Sequence, residues 1–340
     1  MIQVSVVVPV YNVAPYVEAC ARSLMGQTFR DIEVFLVDDG SPDNAGEICD
    51  RVAREDDRIH VIHQKNQGVS VARNTGMAQA KGKWICFVDG DDYLPADAIE
   101  KLLQKAEDTD CDIVIGDYHV VRENKPPEET AFILDKQDER FTFDELIENC
   151  MLGNLREDNV TCIGVPWAKL YRRTFLEEKH LTYLPGLKRN QDVLFNLYCF
   201  AATDRIVYCR APVCDYRVWE NSAVNKYSPN YIDTANRILQ EFEKFFRLHD
   251  PQNRLREFYE RRAMFMYYEC LRLQLFHPQR KDSPLKRWPE YRALVQSPYL
   301  SLGARPKTLL SRSQKLLAWL NGHGLTMLSY LLVCGKNFKR

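Results

Sequence analysis

No two of the eleven cysteines stand in a Cys-x-x-Cys arrangement, and their number is odd. This pattern argues against a disulfide framework or a zinc site and predicts reduced, mostly buried thiols in a cytosolic protein. The seven histidines are equally scattered, without a His-Glu-x-x-His or a close His-Cys spacing, so each reads as an ordinary surface or core residue. A Gly-x-x-x-x-Gly-Lys-Ser/Thr loop is missing, and no Gly-x-Gly-x-x-Gly follows the first apolar segment, which removes the P-loop and the dinucleotide fingerprint. No apolar run approaches the roughly 20 residues that a membrane-crossing helix needs. Residues 1–10 carry no basic start and no cleavage site, so no secretory leader is expected. Internal repeats and low-complexity tracts are absent, and from Tyr291 onward there is no acidic residue at all.

That last gap belongs to a wider division of charge. The net charge of −1 conceals 17 Lys plus Arg against 5 Asp plus Glu in residues 251–340, a balance of +12 that leaves −13 for residues 1–250. Arg305, Lys307, Arg312, Lys315, Lys336, Lys339 and Arg340 flank two apolar stretches, residues 316–320 and 325–334, with Gly322-His323-Gly324 between them. Basic residues around an aromatic-containing apolar face fit a helix lying in an anionic membrane surface. A helical pair closing on the domain with a solvated basic face fits equally. No nucleic-acid reader motif accompanies the charge, and no nucleic-acid partner is expected. At 340 residues, 45% hydrophobic and 27% charged, the chain can bury a sizeable core and is expected to form one large domain plus an extension.

What is present is an alternation. Apolar strands are expected over residues 4–8, 32–37, 59–62 and 84–88, with helices over about 15–27, from Ser41-Pro42 onward, and over about 69–80. Near-continuous apolar strands alternating with helices describe an α/β fold, a mostly parallel sheet covered on both faces. Ligands in such sheets bind outside the carboxyl ends of the strands, where Tyr11, Asp39, Asn66 and the run Asp89-Gly90-Asp91-Asp92 all fall. Three carboxylates within four residues repel one another. A hard divalent cation, Mg²⁺ or Mn²⁺, sharing its coordination with substrate phosphates would hold them together; a solvated Asp/Gly turn is the plain alternative. Without a phosphate loop, a diphosphate would be neutralised by a metal at Asp91 and by Arg73. Tyr11 offers a flat face for a base, and Asp39 an acceptor for the imide N–H of uracil. Taken singly, Tyr11 also reads as loop packing and Arg73 as a surface ion-pair residue; their convergence on one sheet edge favours a ligand site.

Four segments, Val6-Val7-Val8-Pro9-Val10-Tyr11-Asn12, Val37-Asp38-Asp39-Gly40-Ser41, Asn66-Gln67-Gly68-Val69-Ser70-Val71-Ala72-Arg73-Asn74 and Phe87-Val88-Asp89-Gly90-Asp91-Asp92, resemble in order the successive motifs of family 2 glycosyltransferases of the GT-A fold, bacterial polysaccharide type. The likeness covers roughly residues 3–220 and is strongest before about Gly116. It implies a nucleotide-sugar donor, commonly UDP-linked, with Asp89-Gly90-Asp91 as the Asp-x-Asp element. Pro9, Tyr11, Asp39, Asn66 and Arg73 would contact the nucleotide, Asp89 the ribose or donor sugar, and Asp91 the metal, with Asp92 supporting behind. The implied organisation is a nucleotide-sugar-binding half at residues 1–120, an acceptor-binding half at 121–222 and a helical extension at 223–340.

The acceptor half resembles the family more loosely. Relatives place a Glu-Asp pair at a helix start, its Asp being the base; here Gln191-Asp192 stands there, leaving Asp192 as the expected base beside one fewer negative charge, which should lower its pKa relative to a paired carboxylate. Asp192 also suits a first-turn helix acid. Trp167 fits either a sugar-stacking platform or the core. Residues 215–222 resemble a flexible loop that closes over the diphosphate, with Arg217 as its phosphate contact. Residues 123–139, with Pro126-Pro127 and many charges, read as an exposed loop or insertion, and the aromatic-rich pattern after Ser228 as helical. The implied reaction is an inverting single displacement onto a glycan or lipid-linked acceptor, at the cytoplasmic side or the inner face of a bacterial membrane. Two alternatives stand beside it. A sugar-phosphate nucleotidyltransferase would carry a glycine- and basic-rich loop where Pro9-Val10-Tyr11-Asn12 stands, and a protein impaired at Gln191 would bind the nucleotide-sugar without turnover.

Overall fold

The computed structural model describes residues 2–123, 125–132, 140–152, 162–218, 226–304 and 312–334. The chain divides into two compact units, Met1–Trp219 and Glu220–Arg340.

The first unit is a mixed sheet flanked by helices. Its first half runs β1 (Val4–Val10), α1 (Ala14–Met25), β2 (Ile32–Asp38), α2 (Ala45–Ala53), β3 (Ile59–His63), α3 (Val69–Gln79), β4 (Trp84–Phe87) and α4 (Ala98–Glu107). The second half adds β5 (Ile113–Arg122), β6 (Glu128–Thr130), α5 (Phe143–Leu152), β7 (Lys169–Arg172), α6 (Arg173–Glu178), α7 (Gln191–Ala201) and β8 (Ile206–Val218). Strands lie in the order β3-β2-β1-β4-β7-β5-β6, with β8 also paired to β5. The β3-β2-β1-β4 portion is parallel, β7 is antiparallel to both neighbours, and β8 is parallel to β5.

The Val-rich run of β1 is central because it is covered on both faces: Val4, Val6, Val7, Val8 and Val10 are fully buried. Helix α3 lies so close that a Cβ on Gly76 would stand 2.4 Å from Val7 Cγ1. Since β2 and β4 flank β1 on opposite sides, the connections leave in opposite directions there, and the strand ends after Val10, Asp38 and Phe87 frame the crevice that such a switch point creates.

One expected boundary is displaced. Helix α2 begins at Ala45, not at Ser41-Pro42. Residues 41–44 form a turn, because Ser41 N–H donates to Asp38 Oδ1 (2.9 Å) and Asp43 Oδ2 accepts from Ala14 N–H (2.9 Å), tying the turn to the start of α1. Within the expected insertion, residues 128–130 pair with β5 as β6, while 124 and 133–139 lie outside the described residues.

The second unit is helical: α8 (Tyr231–His249), α9 (Arg256–Cys270) continuing into a π-helical turn Leu271–Leu275, α10 (Pro284–Gln296), α11 (Leu300–Ala304), α12 (Arg312–Gly322) and α13 (Thr326–Cys334). Phe242, Phe245, Phe246, Tyr259 and Tyr267 fill its core. No helix among the described residues is long and apolar enough to cross a membrane. All eleven cysteines are free thiols, ten of them buried.

Candidate active site

Strand β4 delivers the acidic run to the sheet edge. Val88 N–H still bonds Val7 C=O (3.1 Å), and the chain then turns, with Asp92 N–H returning to Asp89 C=O (2.9 Å). A Cβ at Gly90 would lie 3.1 Å from Pro9 C=O, so the turn runs against the end of β1. Two arginines answer the crowded carboxylates. Arg73, on α3 and 2% exposed, donates from Nη2 to Asp89 Oδ1 at 2.6 Å. Arg217 donates its backbone N–H to Asp92 Oδ1 (2.8 Å) and its Nε–H to Asp91 C=O (2.9 Å), with its guanidinium between the rings of Tyr16 and Tyr93. Arg217 belongs to β8, so residues 215–218 are strand where a loop was expected; 219–222 lie outside the described residues. Mutual backbone bonds between Tyr93 and Asp215 fix that strand end beside the acids. Burial, reinforced by Asp91 and Asp89, pushes the Asp92 carboxyl well above its ordinary range against the pull of Arg217.

Asp89 and Asp92 are thus engaged within the protein. Among the described residues no group of three or more His, Cys, Asp or Glu is arranged to hold a metal alone. The all-oxygen chemistry of this acidic turn fits a hard cation whose coordination is completed by substrate phosphates and water, the habit of Mg²⁺ at nucleotide sites.

A second cluster stands around Asp192, in the first turn of α7. Its Oδ1 accepts the Val193 N–H (2.9 Å), so it does serve the helix start. Burial raises its carboxyl pKa above the usual value, while Arg73 opposes that rise and Asp89 adds to it. One turn on, buried Asn196 donates from Nδ2 to Asp192 C=O (3.1 Å) and accepts at Oδ1 from Tyr171 Oη (2.7 Å). Lys169, fully buried on β7 and brought down to about 8 by burial, donates to Val165 and Trp167 C=O, holding the segment that Asn196 also grips.

Between the two clusters sits Tyr183, which no sequence motif marked. The Asn74 side chain clamps its backbone with two bonds, Nδ2 to Tyr183 C=O (2.8 Å) and Tyr183 N–H to Oδ1 (2.9 Å). Its ring stacks on Phe195 at 4.1 Å and lies 5.1 Å from the Arg73 guanidinium. Four buried polar atoms here have no hydrogen-bond partner among the described residues: Arg73 Nε and Nη1, Tyr183 Oη and Gln191 Oε1. Each such atom costs about 1–3 kcal/mol when left unsatisfied. They lie in the neighbourhood of Asp89 and Asp192, so unspent hydrogen-bonding capacity is concentrated between the two carboxylates.

At the opposite end of the crevice Asp39 is 2% exposed and occupied: Oδ1 accepts from Gln64 Nε2 (2.7 Å) and Gln67 N–H (2.9 Å), Oδ2 from Gly68 N–H (2.8 Å). It therefore holds the start of α3, and of the roughly four lone-pair positions on a carboxylate one remains for a base N–H. Gly40, at φ 67° and with room for no Cβ beside Asn66 N, brings exposed Asn66 to the same edge. Tyr11 is 49% exposed just past Pro9, its ring available rather than packed away. Trp167 differs. It is 2% exposed, stacked on Tyr216 and enclosed by Tyr118 and Phe132, so it is core and presents no face to a sugar.

A family model described as Glycosyl transferase family 2 matches residues 5–179. The chain is 38% identical over 225 residues to EpsJ of Bacillus subtilis, an uncharacterized glycosyltransferase, a match covering 64% of this chain and 62% of EpsJ. It is 37% identical over 183 residues to the glycosyltransferase GlyG of Streptococcus pneumoniae, covering 53% of this chain and 60% of GlyG. The matches thus span about three fifths of the length of these relatives. Among solved structures, S. aureus TarS 1–349 in complex with UDP-GlcNAc aligns with a TM-score of 0.65 at 18% identity, over 99% of this chain and 93% of that one. The mannosyltransferase PcManGT from Pyrobaculum calidifontis, in complex with GDP-Man and Mn²⁺, aligns with a TM-score of 0.51 at 15% identity, over 97% and 86%. At these identities the likeness is one of fold.

Proposed function

The chain belongs to glycosyl transferase family 2 and has the GT-A fold with a helical C-terminal region, and from that premise we propose that it is an inverting, metal-dependent transferase. It moves a sugar from a nucleotide donor, UDP-linked, to a hydroxyl of a glycan or lipid-linked acceptor in bacterial polysaccharide synthesis. Residues 1–120 hold the donor and 121–222 the acceptor. The observation that carries this reading is the set of buried polar atoms on Arg73, Tyr183 and Gln191 that have no hydrogen-bond partner among the described residues, in the neighbourhood of the two carboxylates that the chemistry needs.

In this reading Tyr11 and the remaining acceptor position on Asp39 receive the base, with Pro9 and Asn66 bordering it. Arg73 fixes Asp89, which meets the ribose or donor sugar, and turns its two spare N–H groups to the donor. A divalent ion on Asp91 would supply Lewis-acid stabilisation of the diphosphate as it leaves. Arg217 holds the acidic turn in shape and adds positive charge beside that diphosphate. Asp192 takes the proton of the acceptor hydroxyl as that oxygen attacks the anomeric carbon from the face opposite the leaving group. A carboxyl raised by burial is a stronger base than a solvated one, and Arg73 opposes that rise by favouring the ionised form. Gln191 Oε1, an acceptor without a donor, suits a second hydroxyl of the incoming glycan. The protein works on the cytoplasmic side, peripheral to the inner face of the cell membrane, where its basic C-terminal region meets anionic headgroups.

The test is a panel of UDP-, GDP-, dTDP- and CMP-sugars with Mn²⁺, followed by mass spectrometry of what the protein retains and hydrolyses. Selective retention and hydrolysis of a UDP-sugar is expected. Retention of none of them defeats the proposal, and selective retention of a different nucleotide overturns its choice of base.

A further inference from the structure

Helices α12 and α13 are apolar on their outer side as well as their inner one. On α13, Met327, Leu328, Leu331 and Leu332 recur at helical spacings of three and four and form one stripe, and each is 44–57% exposed. Leu316 and Trp319 of α12 are exposed to the same degree. The buried side carries Leu317, Leu320, Tyr330 and Val333 together with polar Asn321 and Ser329, and hydrogen bonds anchor it. Ser329 Oγ donates to Asn321 Oδ1 (2.5 Å) and bonds Tyr291 Oη (2.9 Å), Asn321 Nδ2 donates to Ala304 C=O, and Tyr330 Oη donates to Pro284 C=O. An amphipathic helix of a soluble domain turns its apolar stripe to the core, and a monomer rarely shows so many large apolar side chains on one short stretch. Here the inward face is anchored by hydrogen bonds, so the apolar stripe cannot roll inward without breaking them.

Charge decides what covers this face. Residues 291–340 contain eight Lys or Arg and no Asp or Glu. By sequence, two copies of residues 291–340 carry charge of one sign only, eight cations each and no acid, and so repel one another. An anionic lipid surface answers them directly and receives the leucines as well. At about 1.5 Å per residue the nine residues of α13 reach roughly 13 Å, far short of the roughly 30 Å hydrocarbon layer, so the pair lies in the interface rather than across it. Trp319 is of the residue type enriched at headgroup depth. We propose that the exposed face of α12 and α13 is a docking surface that inserts into the headgroup layer of an anionic bilayer. This deepens the peripheral membrane position given above and rests on it.

Flotation of the full chain with phosphatidylcholine vesicles, with or without 30% phosphatidylglycerol, tests this against Leu328→Gln/Leu331→Gln, two exposed positions whose change leaves the buried polar side intact. Wild type should float with the anionic vesicles only, less so at high salt, and the double variant should bind at least about tenfold more weakly. Equal flotation of the variant overturns the docking face while sparing a purely electrostatic membrane contact. Absence of wild-type flotation overturns both. A wild-type dimer in light scattering that the variant dissolves assigns the face to a second copy and overturns the proposal. Hydrolysis of the nucleotide-sugar, measured without vesicles on both proteins, should be equal, so failure of the transferase reading is scored separately.

Discussion

Arg73 carries two duties that a pair of substitutions can separate. As a structural group it neutralises Asp89 at 2.6 Å, with its own side chain 3% exposed and that of Asp89 29% exposed. Removing one partner of a buried ion pair costs about 3–5 kcal/mol, and the partial exposure of Asp89 points to the lower end, about 3 kcal/mol. Loss of the Arg73 cation from the Tyr183 ring adds roughly 1 kcal/mol. For a unit of this size about 4 kcal/mol corresponds to a fall in Tm of roughly 8–16 °C in Arg73→Met. Asp89→Asn strands the guanidinium and should cost a comparable amount. The double variant Arg73→Met/Asp89→Asn strands neither charge, and should recover at least about 2 kcal/mol relative to the sum of the single costs. The second duty does not recover. Nε and Nη1 of Arg73 have no partner among the described residues, so all variants lacking the guanidinium should lose donor affinity, the double variant included. Arg73→Lys should retain much of the stability and still lose affinity, because an ammonium cannot present the same fork of donors. Urea denaturation and calorimetric titration with UDP in Mn²⁺ read the two duties. Strict additivity of the stability costs, or wild-type UDP affinity in Arg73→Met, refutes the reasoning.

Asp192→Asn should keep nucleotide binding and lower turnover by about 10²–10⁴-fold. Burial raises the folded pKa of Asp192 above its unfolded value, so wild-type kcat/KM should fall as pH drops through a limb above the usual carboxylate range, and the residual activity of the variant should lack that limb. By the same sign, the ionised carboxylate destabilises the fold once pH exceeds its folded pKa, and the variant should melt no lower than wild type at neutral pH; an unchanged pH profile would count against the assignment. Asp91→Ala should abolish the dependence of donor affinity on divalent cation, seen in calorimetry as equal affinity with Mn²⁺ and with EDTA. Gly76→Ala should destabilise by about 1–3 kcal/mol through the 2.4 Å approach to Val7, and Val7→Ala in that background should recover part of it in thermal melts.

The parallel half of the sheet was legible because its information is local. A strand buried on both faces is a near-continuous apolar run, as in β1 and β2, and its carboxyl end is marked by the polar residues after it, so Tyr11, Asp39 and Asp89 could be located by counting. The start of α2 was misplaced because Pro42 is a good local helix opener, whereas the turn is held by Asp43 reaching the Ala14 amide 29 residues earlier. Trp167 was ambiguous for the same reason: a Trp before a short strand looks alike whether its ring meets a sugar or Tyr216, a partner 49 positions on. Arg217 was taken for a loop residue because a strand end bound by backbone bonds to Tyr93 has no signature within its own segment.

Three carboxylates in four residues state a problem of repulsion without stating its solution. A bound cation, a pair of arginines or plain solvation each resolves it, and the acidic segment would be spelled the same in every case. The fold uses Arg73, 16 residues upstream of Asp89, and Arg217, 125 residues beyond Asp92, to answer two of the three carboxylates. Tyr183 extends the point. Its position is set by an Asn74 side chain 109 residues away that spends both of its amide groups on the tyrosine backbone. That clamp leaves the phenol oxygen buried and unpaired beside Arg73. A local motif can place a charged group at a strand end, but a demand for ligand arises only when distant segments close around that group and leave polar atoms unsatisfied.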